Sequence, residues 1–137
     1  MEDLTEAEAM EVLIADDANV IRRLVRKSLM SFELDSLEID EAETGGQAIE
    51  FVEFKSYDLI ILDWNMPECY GIDVLKAARE AGQICPIIMQ TANNLKSHIM
   101  DAVRAGVTDY VLKPYNCETL SEKLSQYVAH PCVDTAG

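Results

Sequence analysis

Asp16, Asp17, Asp63, Thr91 and Lys113 are the residues whose types and positions could do chemistry. They stand just past short apolar runs: Val12 to Ala15 before the aspartate pair, Leu59 to Leu62 before Asp63, Ile87 to Gln90 before Thr91, and Tyr110 to Leu112 before Lys113. Runs of this length bounded by polar or turn residues read as strands buried on both faces, the kind found in parallel sheets. All strands of a parallel sheet finish on the same side, so residues far apart in the chain become neighbours at that rim. Three carboxylates, a hydroxyl and an ammonium make a specific set. Acids so close raise each other's pKa and call for a cation. Hard oxygen donors suit Mg²⁺, which keeps several waters and binds through one or two carboxylates plus phosphate oxygens. Beside a lysine and a hydroxyl, such a centre would cage a phosphoryl group, with Asp63 on the central strand as nucleophile.

The elements that must position these groups follow from the patterning. After the first strand, Val20, Ile21, Leu24, Val25 and Leu29 recur on one helical stripe, with Arg22, Arg23, Arg26 and Lys27 largely opposite. Leu37 to Ala42 alternates, as an edge strand does. Gly45 and Gly46 lead into a helix carrying Ala48, Ile49, Val52 and Phe54. Ile72 to Ala81 is a third helix closed by Gly82, and Asn93 or Asn94 caps a fourth that runs through Ala105 to Gly106. Cys117 to Val128 is the fifth, with Leu120, Leu124 and Val128 at i, i+4 and i+8. Five strands alternating with five helices predict an α/β, doubly wound, five-stranded parallel sheet in the order 2-1-3-4-5, the polar second strand at the edge.

Composition narrows the function. A chain of 137 residues, 49% hydrophobic and 26% charged, is expected to form one globular domain. Its 25 acids against 11 bases leave a net charge of −14, which repels phosphate backbones and argues against direct nucleic-acid binding. No apolar run approaches a membrane span, and the acidic leader MEDLTEAEAM lacks a signal-peptide pattern, so a cytoplasmic protein is expected. Cys69, Cys85, Cys117 and Cys132 form no CxxC pair and read as reduced thiols. His98 and His130 are too few for a histidine metal site and are expected at the surface. There is no GxGxxG for a dinucleotide, and the acidic turn DDANV is hostile to a flavin phosphate.

Taken as a set, ADD at 15–17, DWNMP at 63–67, Gly71, QTA at 90–92 and DYVLKP at 109–114 resemble a response-regulator receiver domain of the stand-alone chemotaxis, CheY-like type. The resemblance spans about Glu11 to Val128, which sets a receiver at 11–129 between a leader (1–10) and a tail (130–137). It implies a flavodoxin-like (βα)5 fold and a phospho-acceptor signalling protein rather than an enzyme. Asp63 would take a phosphoryl group from the phosphohistidine of a CheA-like histidine kinase. Mg²⁺ would be held by Asp17, Asp63 and the Asn65 backbone carbonyl, with Asp16 acting mainly through water. Lys113 would pair with the acyl phosphate, the Thr91 hydroxyl would move to bond it, and Tyr110 would turn inward into the space vacated. Lys113-Pro114 would be a cis peptide.

The same resemblance makes Asn65 and Asn93 the positions that tune dephosphorylation, by the protein itself or a partner phosphatase. The readout face would comprise Lys96, Ile99, Met100, Val103, Tyr110, Leu112, Tyr115 and Lys123, although core packing competes for Val103 and Leu112. Its target would be a downstream protein such as a flagellar motor switch, met by a monomer without membrane contact. Arg22 and Arg23 could face the kinase, but solvated charge is the preferred reading.

Three alternatives were weighed. A phosphatase of the haloacid-dehalogenase kind also forms an aspartyl phosphate, but it needs a second carboxylate two residues after the nucleophile, where this chain has Asn65. The narrower alternatives are the N-terminal receiver of a longer regulator and a phosphorelay shuttle; the single-domain protein is preferred.

Overall fold

The computed structural model describes residues 9–34, 36–92 and 96–128. The elements run β1 (Met10–Ala15), α1 (Asn19–Met30), β2 (Leu37–Ala42), α2 (Gly45–Phe54), β3 (Leu59–Asp63), α3 (Gly71–Glu80), β4 (Ile87–Thr91), α4 (Lys96–Ala105), β5 (Asp109–Leu112) and α5 (Cys117–Leu124). All strand pairs are parallel and the order is β2-β1-β3-β4-β5. This is the doubly wound, flavodoxin-like α/β fold expected.

The apolar runs become central strands because both their faces are covered. Leu13, Ala15, Ile60, Leu62, Ile87 and Met89 face one layer with Ala48, Val52, Val74, Leu75, Ala78 and Ala102. Their alternates, Val12, Ile14, Leu59, Ile61, Ile88 and Val111, face the other with Val25, Leu29, Leu120 and Leu124. Truncating one of these leucines or isoleucines to alanine should cost about 2–5 kcal/mol. β2 is the polar edge strand.

Register places the site. Ala15 pairs with Leu62, Asp63 with Gln90, and Thr91 with Leu112, so the residues leaving these strands do so in one layer. Gly71, which opens α3, packs so closely that a Cβ there would lie 2.2 Å from the Asp63 carbonyl oxygen. Only glycine lets α3 start against the end of β3. Gly82 and Gly106 close α3 and α4 at φ +98° and +99°, a backbone region that favours glycine.

Some expectations need correction. β1 begins at Met10, which is buried, so the strand takes in a residue assigned to the leader. Val20 is 68% exposed rather than part of the buried stripe of α1, and Phe54 is 87% exposed at the end of α2. Arg22 is buried, not solvated. α5 ends at Leu124, although Val128 still joins the core. The helix-capping role given to Asn93 or Asn94, and the 130–137 tail, lie outside the described residues.

Candidate functional site

Each strand end supplies one part of an acidic rim. The carboxylates of Asp16, Asp17 and Asp63 each offer an oxygen within 4.8 Å of the others. Asp16 is fully buried and Asp63 nearly so, while Asp17 is exposed. Lys113 bridges the buried pair: its Nζ lies 2.9 Å from Asp16 Oδ2 and 2.9 Å from Asp63 Oδ1. Asp16 also accepts from the Ala18 amide at 2.9 Å and from the Gln90 amide nitrogen at 3.3 Å.

One cation for three acids leaves the site short of positive charge. Burial pushes Asp63 up to about 6; Asp16 and Asp17 add to the rise, and Lys113 opposes it. Lys113 is itself partly desolvated, but its bonds to Asp63 and Asp16 outweigh that and raise its pKa, keeping it charged. An acid lifted by burial and crowding beside a fixed ammonium is the mark of a working site. Oxygen donors with one open, water-facing member fit a hard divalent ion better than a soft one. The cluster can therefore hold such a metal.

Thr91 is buried at the end of β4, and its carbonyl accepts from the Lys113 amide at 2.8 Å. That bond ties the hydroxyl-bearing strand end to the lysine. The Lys113-Pro114 peptide is cis. Tyr110 is half-buried, and its phenol donates to the His98 carbonyl of α4 at 3.2 Å. Asn65 is exposed beside the rim, at the mouth of a hollow of about 640 Å³ between α3 and α4. Asn93 lies outside the described residues.

The residues assigned to a partner face do not behave alike. Lys96 is exposed, and so are Met100, Val103 and Leu112 at 43%, 61% and 49%; core packing does not account for Val103 or Leu112. Ile99 is half-buried. Lys123 is engaged with Asp109 at 3.1 Å. Tyr115 turns toward the site instead: its hydroxyl bonds Gln90 Oε1, and burial, then the nearby Asp16 and Asp63, raise its pKa.

Three groups near the site escaped the sequence reading. Gln90 carries Tyr115 on one side and Asp16 on the other, and a buried amide in the run IIMQT could have announced that need for partners. Arg22 reaches the Asp16 carbonyl at 2.7 Å. Trp64, next to the acceptor, is buried, and its ring stacks on His98 with centroids 4.7 Å apart, so His98 is not the plain surface residue expected. His130 is outside the described residues.

Comparison with known proteins agrees with this geometry. The family model described as the response regulator receiver domain matches residues 12–125. The chain is 35% identical over 119 residues to chemotaxis protein CheY-3 of Vibrio cholerae, covering 85% of this chain and 90% of that one. It is 34% identical over 119 residues to chemotaxis protein CheY of Pseudomonas aeruginosa, covering 85% and 94%. Among solved structures, the chemotaxis response regulator CheY4 of Vibrio cholerae superposes with a TM-score of 0.77 at 29% identity, over 88% of this chain and all of that one. With the match to the family model spanning all five strands and the acidic rim at their ends, the chain belongs to the response-regulator receiver domains and is CheY-like.

Proposed function

We propose that this protein is the phospho-accepting receiver of a two-component pathway of the chemotaxis type, with Asp63 as acceptor and no enzymatic output of its own. The observation that carries the reading is Asp63 itself: a nearly buried carboxylate, its pKa raised to about 6, held 2.9 Å from Lys113 and within 4.8 Å of two further acids. In the transfer, an Asp63 oxygen bonds to phosphorus as the P–N bond of a kinase phosphohistidine breaks, and the imidazole keeps the electron pair and takes up a proton. Asp17, Asp63 and the Asn65 backbone carbonyl are the residues that would hold Mg²⁺, with Asp16 acting through water. Bound there, the ion would neutralise charge on the transferring group.

The protein's own residues do the rest. Lys113 would pair with a negative oxygen of the acyl phosphate, and the Thr91 hydroxyl would move to donate to another. Drawing Thr91 inward frees room for Tyr110, whose hold on the His98 carbonyl connects it to α4. Moving such a two-state element from mostly off to mostly on takes about 5.5 kcal/mol. The exposed Met100, Val103 and Leu112 support a readout face on α4 and β5 for a downstream protein, of the flagellar-motor-switch kind. Asn65 and Asn93 would tune the lifetime of the acyl phosphate, and the donor would be a CheA-like histidine kinase in the cytoplasm.

The test is direct. With Mg²⁺ and a small phosphodonor, the protein should gain the mass of one phosphoryl group, and Asp63→Asn should gain none. Equal labelling of both would exclude Asp63 as the sole acceptor.

A further inference from the structure

Arg22 is the most constrained cation in the described part of α1, and it touches the acidic rim only through backbone. Its Nη1 donates to the Asp16 carbonyl at 2.7 Å and its Nε to Glu41 at 2.8 Å, with Asn19 at 3.3 Å and Glu43 at 3.7 Å. The side chain is 8% exposed. The Asp16 amide meanwhile donates to the Ala42 carbonyl at 3.0 Å, continuing the β1 ladder by one residue. Beyond it the chain turns into α1, and the Asp16 carbonyl points to the guanidinium. Both sides of this residue are therefore clamped, one by the sheet and one by Arg22. The Asp16 Cα lies between the two clamps and the Arg22-bound carbonyl belongs to the Asp16–Asp17 peptide, so the clamp fixes where the Asp16 side chain leaves the backbone and the peptide plane from which Asp17 starts.

We propose that Arg22 is a positioning residue for the metal site, acting through the Asp16 carbonyl to orient Asp16 and Asp17. The inference rests on the reading that this rim binds Mg²⁺. The alternative is a fold-only role, in which Arg22 merely ties α1 to the edge strand through Glu41. The shortest of its bonds favours the former: at 2.7 Å the guanidinium holds the Asp16 carbonyl as well as Glu41, and a point-charge ammonium does not span both in that fixed fork.

Electrostatics gives the test a sign. Arg22 is a cation beside a cation site, so a pure charge effect means that its removal strengthens Mg²⁺ binding. Loss of orientation weakens it, by about tenfold on the usual scale for residues that support metal ligands. The experiment titrates Mg²⁺ against Trp64 fluorescence in wild type, Arg22→Met and Arg22→Lys, with thermal melts of each. The charge-balanced double variant Arg22→Met with Glu41→Met removes the acid that Arg22 shares with the half-exposed Arg26 and keeps the net charge, so it separates the tie to the edge strand from positioning. Expected are a weakened dissociation constant in the folded single variants and the same weakening in the double variant, even where its melting temperature recovers. Unchanged or tighter binding in a folded variant, or affinity that returns together with stability, overturns the inference. Failure of wild type to bind Mg²⁺ overturns the reading of the site, and this inference with it, and is told apart because it appears before any substitution.

Discussion

Two acids on neighbouring parts of one sheet are treated in opposite ways. Asp63, on the central β3, shares a single lysine with Asp16, and its carboxyl is pushed up to about 6. Asp40, on the edge strand β2, has Lys55 Nζ at 2.8 Å and the Tyr57 hydroxyl at 2.7 Å. Burial works to raise Asp40 as well, but these two bonds outweigh it and hold the carboxyl below its usual range. Asp109 on β5 repeats the edge arrangement with Lys123 and Tyr127, and it too is held low. An edge acid with both a cation and a phenol bonded to it is satisfied by the fold. Asp63 has only the lysine it shares with Asp16, and that shortage of positive charge is what a bound cation would relieve.

The comparison is broken most sharply by removing the metal. Chelation of divalent ions should lower phosphoryl uptake from a small phosphodonor by about 100-fold or more, the scale of removing one main source of charge stabilisation. Asp17→Asn should do nearly the same, since the exposed member of the cluster would lose its charge. Asp40→Asn should leave the rate of uptake at the wild-type value. If chelation leaves labelling unchanged in a time course followed by mass spectrometry, rim and edge are chemically equivalent and the contrast is lost.

A second measurement sharpens the contrast through stability. Asp63 holds its proton more readily in the folded state, at about 6, than at its ordinary 3.8. The folded chain therefore binds more protons than the unfolded one across that interval, and metal-free stability falls as pH rises from about 4 to about 6, then levels off. Asp63→Asn, neutral at every pH, should stabilise the metal-free protein at pH 8 by about 1–2 kcal/mol after allowance for screening at the open rim. The gain should fade as the pH falls from about 6 to about 4. Added Mg²⁺ should raise the melting temperature of wild type but not of the variant, because only a folded site that binds the ion gains by mass action.

What is legible in the sequence depends on the range of the interaction. Continuous apolar runs located the central strands because burial on both faces leaves no polar alternation, as in Leu59 to Leu62. The rim followed, since parallel topology sends every strand end to one side. Arg22 was misjudged for the opposite reason. Helical periodicity grouped it with Arg23, Arg26 and Lys27, whereas its burial is decided by Glu41 on β2 and the Asp16 carbonyl, contacts that no local pattern encodes. His98 was missed likewise, because its place follows from Trp64 across the β4–α4 side of the sheet. Phe54 shows the reverse failure: its type says core, yet the end of α2 leaves it exposed.

The smallest effect tests the edge. Asp40→Asn keeps an acceptor for the Tyr57 hydroxyl but removes the charge beside Lys55, which retains Glu11 at 3.0 Å. With one partner left to the lysine and the ion pair partly exposed, the loss should be about 0.5–1 kcal/mol, read as a lower urea midpoint at an unchanged slope. Its pH dependence has a definite direction. A carboxyl held low in the folded state adds stability above its ordinary 3.8, and that contribution is lost as the pH falls through the lower, folded value. The deficit of Asp40→Asn should therefore shrink in acid, just as the gain of Asp63→Asn does. The two variants approach wild type from opposite sides, one from below and one from above. Unfolding curves at pH 8, 6 and 4 that placed both variants on the same side would show that burial alone sets the behaviour of these acids, and that the partners at the edge contribute nothing.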